Sequence, residues 1–308
     1  IEHYFGNEVS SDFNFYFSKL LNKFPEITKV TFNCSLGCGC YWGKCTFCFF
    51  SNFAWCKNYM VRPNIDKICE KLLKIVADRR DIEMKAHTCM DCLPPEVLDN
   101  LLFYGKGVKF SSYLRADKKI IDVIKKYDDL SNHIFDVGLE TYCDIGLKEL
   151  NKGITLTNYF ELVEAIGKRK GMVTSGTMRD FPFLTKEAVN QSITTLNKLK
   201  EISNKYHKLC LIDCGPTFWP ISVPVKYSFP TKRGLIGSYK YILPEDSDQY
   251  KYNLMIQEHI SNIKLPYRIK NKYIQMLFRK GLGKEVKGKY LANWNWKKDN
   301  ENINDESF

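Results

Sequence analysis

Short apolar, β-branched runs alternate along this chain with longer segments whose apolar positions recur every three or four residues. "KVTFNCSL" (29–36) reads as a strand, and "IDKICEKLLKIVADRR" (65–80) as a helix with Ile68, Leu72, Leu73, Ile75 and Val76 on one stripe. The pairing then repeats. "IEMKAHTC" (82–89) precedes "PPEVLDNLLFYG" (94–105), a helix with prolines at its start and a glycine at its end. "VKFSSYLRA" (108–116) precedes "KKIIDVIKKYDD" (118–129), and "HIFDVGLE" (133–140) precedes helices over 143–151 and 155–170. Thr155 and Thr157 are the candidate caps of the second of these. "MVTSGTM" (172–178) leads into a long helix over 185–207, and "LCLIDCGPTF" (209–218) closes the series.

Six strands with five helical crossovers predict parallel βαβ units, closing either into an open doubly wound sheet or into a barrel. In both, the loops at the carboxyl ends of the strands carry the chemistry. The loop after the first strand is therefore at the active end. After residue 220 the rhythm stops and prolines at 220, 224 and 230 announce an irregular or small α+β extension. The expected organisation is a lead-in over 1–28, a β/α core over 29–220 and an extension over 221–308.

That first loop is also where the cysteines gather. "NCSLGCGCYWGKCTFC" holds five of the chain's twelve. The chain shows no secretory signal, so a reducing, cytoplasmic setting is expected, with metal or redox chemistry ahead of a disulfide framework. No apolar run reaches the roughly eighteen residues of a membrane span, so no membrane partner is expected. Cys40, Cys45 and Cys48 form C-x4-C-x2-C. Three thiolates suit a [4Fe–4S] cluster with one iron left open for chemistry. A zinc site is the alternative, pairing Cys45/Cys48 with Cys89/Cys92 of "CMDC".

The net charge of +11 is uneven. Residues 266–298 carry ten Lys/Arg against Glu285 alone, with Tyr267, Tyr273, Phe278, Tyr290, Trp294 and Trp296 interleaved. This is either a solvated lysine-rich surface, the larger expectation, or a face for phosphates.

"GCYWGKCTFC" resembles the cluster loop of radical S-adenosylmethionine (SAM) enzymes, in particular the branch that often carries a cobalamin domain. "CMDCLPPEVL", "YLRAD", "GLETYCDIGLKELNKGIT" and "RDFPFLTKEAV" are similar, in order, to that branch's motifs on the second to fifth strands. The resemblance covers residues 29 to about 220 and implies a partial (β/α)6 TIM-type barrel. It departs from the branch in its x4 spacing, in Asp180 and Phe183 where glycines are usual, and in the extra Cys34 and Cys38.

The resemblance implies a [4Fe–4S] cluster on Cys40, Cys45 and Cys48 whose open iron binds the amino and carboxylate groups of SAM. One electron from a flavodoxin- or ferredoxin-type donor then yields methionine and a 5′-deoxyadenosyl radical, which takes a hydrogen atom from an unactivated C–H bond. Phe47 would lie near the adenine, or simply pack. Asp91 would hold the SAM amino group or ribose, or be an ordinary loop carboxylate. Glu140 would bind ribose in preference to forming a structural salt bridge, Arg115 a carboxylate unless it pairs with Glu140, and Arg179 would contact the ligand or only cap its loop. Cys89, Cys92 and Cys214 could ligate a second cluster, donate a hydrogen atom or be inert, the last being the commonest fate of buried cysteines. Cys56, Cys69, Cys143 and Cys210 carry no readable signal, and His87 reads as a core residue.

The expected substrate is a peptide, natural product or small metabolite, with methyl transfer among the outcomes. RNA is the second candidate, prompted by the basic segment, and a non-catalytic zinc-stabilised nucleic-acid-binding module the third. The chain opens on Ile1 rather than Met, so an upstream segment is expected; cobalamin enters only if such a segment or a partner supplies it.

Overall fold

The computed structural model describes residues 22–25, 29–33, 37–48, 60–61, 65–78, 83–207, 209–234, 237–263 and 268–269. Strands β1 (Lys29–Asn33), β4 (Glu83–Cys92), β5 (Lys109–Leu114), β6 (His133–Val137), β7 (Met172–Arg179) and β8 (Leu209–Pro216) lie side by side in that order. Every neighbouring pair is parallel. The helices between them are α1 (Ile65–Asp78), α2 (Pro95–Tyr104), α3 (Lys118–Lys125), α4 (Asp144–Glu149), α5 (Leu156–Lys168) and α6 (Lys186–Tyr206). Each strand is laid against the previous one without a reversal of order. With right-handed crossovers, that places the helices on one face and curls the sheet, as in a barrel. Among the described residues the sheet does not close, so the architecture is a partial barrel.

Alternation along the strands separates two faces. Phe110 and Leu114 of β5, and Phe135 and Val137 of β6, are fully buried in the core that α2, α3 and α5 cover with Leu98, Leu101, Ile120, Ile124, Leu162 and Ile166. The opposite face is polar. There Asp136 accepts hydrogen bonds from Ser111 Oγ at 3.1 Å and from Thr174 Oγ1 on the adjoining strands. Helix starts follow local chemistry. Asp117, Thr155 and Thr185 each accept a backbone N–H three residues on, so Thr155 and not Thr157 caps α5.

The extension departs from expectation in one respect. The βαβ rhythm does not end at β8. After a three-stranded antiparallel sheet in the order β10 (Thr231–Arg233), β11 (Ser238–Tyr241), β9 (Trp219–Pro220), helix α7 (Asp248–Asn262) leads to β12 (Arg268–Ile269), which pairs in parallel with β8 as a seventh strand. Two residues are too few to leave a periodicity in the sequence. β2 (Gly37–Cys38) and β3 (Met60–Val61) form a small antiparallel pair beside the cysteine loop. The extension grips the core through Asn253, whose amide exchanges two 3.0 Å hydrogen bonds with the Phe181 backbone. Apart from β12, the basic segment 266–298 lies outside the described residues. Among the described residues no helix is long and apolar enough to cross a membrane.

His133, at the start of β6, is buried between the rings of Phe110 and Phe135, and neither ring nitrogen has a hydrogen-bond partner. Burial holds its pKa down at about 4, against a small opposing pull from Asp129. Between that value and the ordinary 6.5 the unfolded chain binds the proton and the folded chain does not, so stability falls as pH falls. The expected loss is roughly 2 kcal/mol from pH 7 to pH 5. Denaturant titrations of His133→Leu should lack that part of the pH dependence; an unchanged slope would refute the assignment.

Candidate active site

The cysteine loop, residues 37–48, is fixed to the rim of the sheet by the residues between its thiols. Tyr41 donates its hydroxyl to the Asp117 carboxylate, which also caps α3. Trp42 Nε1 donates to the Asn151 carbonyl at 2.9 Å, and Asn151 Nδ2 donates back to the Lys44 carbonyl at 2.8 Å. Thr46 N donates to the Leu150 carbonyl at 3.0 Å. The loop thus lies on the turn that ends α4, "NKG", where Asn151 and Gly153 both have left-handed backbone (φ 50° and 67°). Asn tolerates that conformation and glycine adopts it freely. At Gly153 a Cβ would stand 2.1 Å from the Trp42 ring, so the glycine is also required by contact.

Two buried cations face the thiols. Arg115, 2% exposed at the end of β5, stacks its guanidinium 4.5 Å from the Trp42 ring centroid and donates from Nη2 to the Lys152 carbonyl at 2.6 Å. Its Nε has no hydrogen bond, and the Asp117 carboxylate is 3.8 Å away. Lys152 Nζ lies 2.6 Å from Glu140 Oε1 and 5.7 Å from the Phe47 ring centroid. Burial alone would lower the lysine's pKa, but Glu140, Cys45 and Cys92 outweigh it and raise it. Glu140 has left-handed backbone (φ 67°) just beyond β6, held by its N–H to the Gly176 carbonyl and by its own carbonyl to Met178 N. Gly138 makes room for the ion pair, since a Cβ there would stand 2.3 Å from Glu140 Oε1 and 2.8 Å from Lys152 Nζ.

The thiols respond to these surroundings. Cys40 is drawn down to about 5 by a hydrogen bond from Cys92, then by the backbone of Gly43 and Trp42 and by Arg115, against the effect of burial. Burial pushes Cys45 up to about 11 although Lys152 and Arg115 oppose it. Cys92, driven well above its ordinary value by Cys40 and by burial, keeps its proton. None of Cys40, Cys45, Cys48 and Cys92 is in a disulfide. Among the described residues no three His, Cys, Asp or Glu side chains are gathered around one point.

The donor set nevertheless fits an iron–sulfur cluster. It is all thiol, one member is already favoured as thiolate, and two buried cations stand ready to offset the charge that bound thiolates bring. Unpartnered guanidinium Nε atoms on Arg115 and Arg179 are donors that an anionic ligand group would satisfy.

The structure thus brings Cys40, Cys45, Phe47, Arg115 and Glu140 into one neighbourhood. Glu140 pairs with Lys152, and Arg115 pairs with the Lys152 carbonyl and Trp42, so the Arg115–Glu140 pairing weighed from sequence does not form. Asp91 is a β4 residue whose side chain, like those of Cys89 and His87, lies outside the described structure; so do Cys34, Cys56 and the side chains of Cys38 and Cys210. Arg179 ends β7, and its carbonyl accepts from both the N–H and the hydroxyl of Thr217. Cys214 lies on β8, its Sγ 3.1 Å from where a Gly176 Cβ would be. Cys69 and Cys143 are buried in the core. Lys152, Trp42 and Tyr41 went unassigned in the sequence. The "NKG" motif was the available signal for the lysine, whereas the two aromatics gave none beyond their place between cysteines.

By sequence, the chain matches no known protein-family profile and no curated protein. Solved structures are similar in fold. One is a point mutant of spore photoproduct lyase, with a TM-score of 0.51 and 11% identity over 76% of this chain and 74% of that one. Another form of the lyase, complexed with dinucleoside spore photoproduct, gives 0.50 at 10% identity over 76% and 74%. A third is TsrM from Kitasatospora setae, a radical S-adenosylmethionine methyltransferase with cobalamin and a [4Fe-4S] cluster bound. It gives 0.50 at 10% identity over 83% of this chain and 57% of that one. This chain shares its overall fold with these solved structures.

Proposed function

We propose that the chain is a radical SAM enzyme. Cys40, Cys45 and Cys48 hold a [4Fe–4S] cluster, and the substrate is a peptide, natural product or small metabolite modified at an unactivated C–H position. The observation that carries this reading is a C-x4-C-x2-C loop pinned by its own intervening residues to the carboxyl rim of a curled parallel sheet. A cluster held by Cys40, Cys45 and Cys48 would supply one-electron reduction of a bound SAM.

The chain's own residues supply orientation and charge. Trp42 and Tyr41 hold the loop to the α4 turn and to the α3 cap. Arg115 and Lys152 lower the cost of several thiolates in a buried place. Arg115 and Arg179 offer unpaired N–H groups to a ligand carboxylate, and Glu140 offers its second carboxylate oxygen to a ribose hydroxyl. Phe47, backed by Lys152, presents a ring to an adenine. The polar face around Ser111, Asp136 and Thr174, deeper in the curl, is where a substrate with hydrogen-bonding groups would be received.

Anaerobic reconstitution with iron and sulfide, followed by SAM and a reductant, should give a brown protein that forms 5′-deoxyadenosine. Cys40→Ala, Cys45→Ala and Cys48→Ala should each abolish that product. A colourless protein with stoichiometric zinc would overturn the proposal in favour of a zinc-stabilised module.

A further inference from the structure

The extension leaves one sheet edge open. β10 is the end strand of the β10–β11–β9 sheet, and Thr231, Lys232 and Arg233 are all exposed. Ile242 N donates to the Pro230 carbonyl at 2.7 Å and Gly234 N to the Ser238 carbonyl at 2.9 Å, with Lys232 opposite Lys240 between them. Bonded and non-bonded pairs alternate along an antiparallel ladder, so Lys232 turns its backbone groups to β11 while Thr231 and Arg233 turn theirs outward. Such an edge is a template for another strand. Its charge has one sign. Residues 217–244 hold Lys226, Lys232, Arg233 and Lys240 and no acid. Among the described residues only Lys226 of these pairs with a carboxylate. Lys232 and Lys240 stand directly opposite each other, a like-charge pair that an anion laid across it would relieve. Two positions on along the same face, the Phe218 ring lies 2.9 Å from where a Gly234 Cβ would be, and it is 37% exposed. This hairpin is tied to the active rim. Lys226 Nζ and the Tyr227 hydroxyl each reach Glu149 Oε2 at 2.5 Å, and the Glu149 carbonyl accepts from Thr46 Oγ1 of the cysteine loop at 3.4 Å.

We propose that the β10 edge is the docking site for an acidic, extended segment of a peptide substrate, which adds to the sheet as a further strand. That the peptide is a substrate rests on the functional reading above; that it docks does not. Backbone hydrogen bonds to Thr231 and Arg233 supply the hold, and the side chains supply the choice. Residues of an added strand alternate between the two faces as those of β10 do. A peptide residue over Lys232 and Lys240 is therefore acidic, and one two positions on is apolar and meets Phe218. A peptide fits better than a nucleic acid, because the outward N–H and C=O groups of an edge are completed by another backbone. Trp219, Tyr239 and Tyr241 of the same sheet are buried, so bases find no row of rings on which to stack. A second copy of the chain fits worse as well, since it would set its own basic edge against this one.

The test is fluorescence anisotropy of the full chain with a labelled peptide of roughly ten residues that alternates glutamate with valine and threonine, a strand-forming pattern. Thr231→Pro removes an outward N–H and no charge, and it leaves the β10–β11 bonds in place. Lys232→Glu reverses a charge and removes no backbone donor. Each should weaken binding about tenfold. The same peptide N-methylated along one edge makes the first test from the ligand side, should Thr231→Pro fail to fold, and its lysine counterpart makes the second; both should bind about tenfold more weakly than the parent. Absence of binding to the wild type would overturn the inference, as would binding indifferent to Thr231→Pro and to N-methylation. An oligonucleotide that binds as tightly and is weakened by Lys232→Glu alone would make the edge a face for phosphates instead. Self-association of the wild type that Thr231→Pro abolishes would assign it to a second copy. None of these results bears on formation of 5′-deoxyadenosine by the reconstituted chain. A chain that binds the peptide yet forms none would sink the functional reading and leave the docking edge standing.

Discussion

Lys152→Met is expected to lower the unfolding free energy by about 3–5 kcal/mol, the cost of stranding one member of a buried ion pair. Glu140 and Lys152 meet at 2.6 Å with side chains only 14% and 8% exposed, so little water reaches either charge once the other is gone. A contrast within the same protein shows why burial decides the size. Lys118 and Asp122 meet at 2.9 Å, but both are more than half exposed, so water screens the pair and Lys118→Ala should leave stability nearly unchanged. The double variant Lys152→Met/Glu140→Gln should recover a large part of the loss, because it removes the second charge as well. Denaturant unfolding of the wild type, both single variants of the pair and the double variant closes the cycle. A Lys152→Met loss as small as that of Lys118→Ala would mean that the pair is solvated and that its place in the site is misread. Iron content gives a second reading: with the ammonium gone from beside Cys45 and Cys92, the site should hold iron less tightly.

The alternation of strands and helices was legible because each element carries its own period and most carry their own caps, as at Asp117, Thr155 and Thr185. The strand ends were not. β6 stops at Val137 instead of running to Glu140, because Leu139 N and Glu140 N both turn to the Gly176 carbonyl and Glu140 takes a left-handed backbone. No local signal announces a glutamate there; a strand 36 positions away dictates it. β4 runs past the expected Cys89 to Cys92 because pairing resumes after a bulge. Asp180 stands where the resemblance called for glycine, and it adopts φ 63°, so the backbone shape persists although the residue differs. Phe183, at the other such position, is buried and stacks 4.9 Å from Phe181, which commits that side chain to packing. The cysteines themselves were visible from their spacing. Their supports were not, since Trp42 meets Asn151 across 109 positions and Tyr41 meets Asp117 across 76. Contacts of that range leave no periodicity for a reader of one sequence to find.

Those supports make the second large effect predictable. Gly153→Ala should cost about 1–2 kcal/mol for the left-handed backbone alone. Overpacking against Trp42 adds about 1–3 kcal/mol, unless the indole moves. Moving it is the more informative outcome. The ring is held on one side by Arg115 and at its nitrogen by the Asn151 carbonyl, so a displaced Trp42 loses both and carries the cysteine loop with it. The variant should therefore show a lower melting temperature together with reduced iron per chain after reconstitution. Another glycine of the same backbone class provides the control. Gly237 also has a positive φ, 62°, but a Cβ there meets nothing within 4 Å. Gly237→Ala should show the backbone cost without any change in iron content. If Gly153→Ala and Gly237→Ala behaved alike in both readouts, the indole contact would play no part in seating the loop. The cysteines' placement would then have to come from elsewhere in the rim.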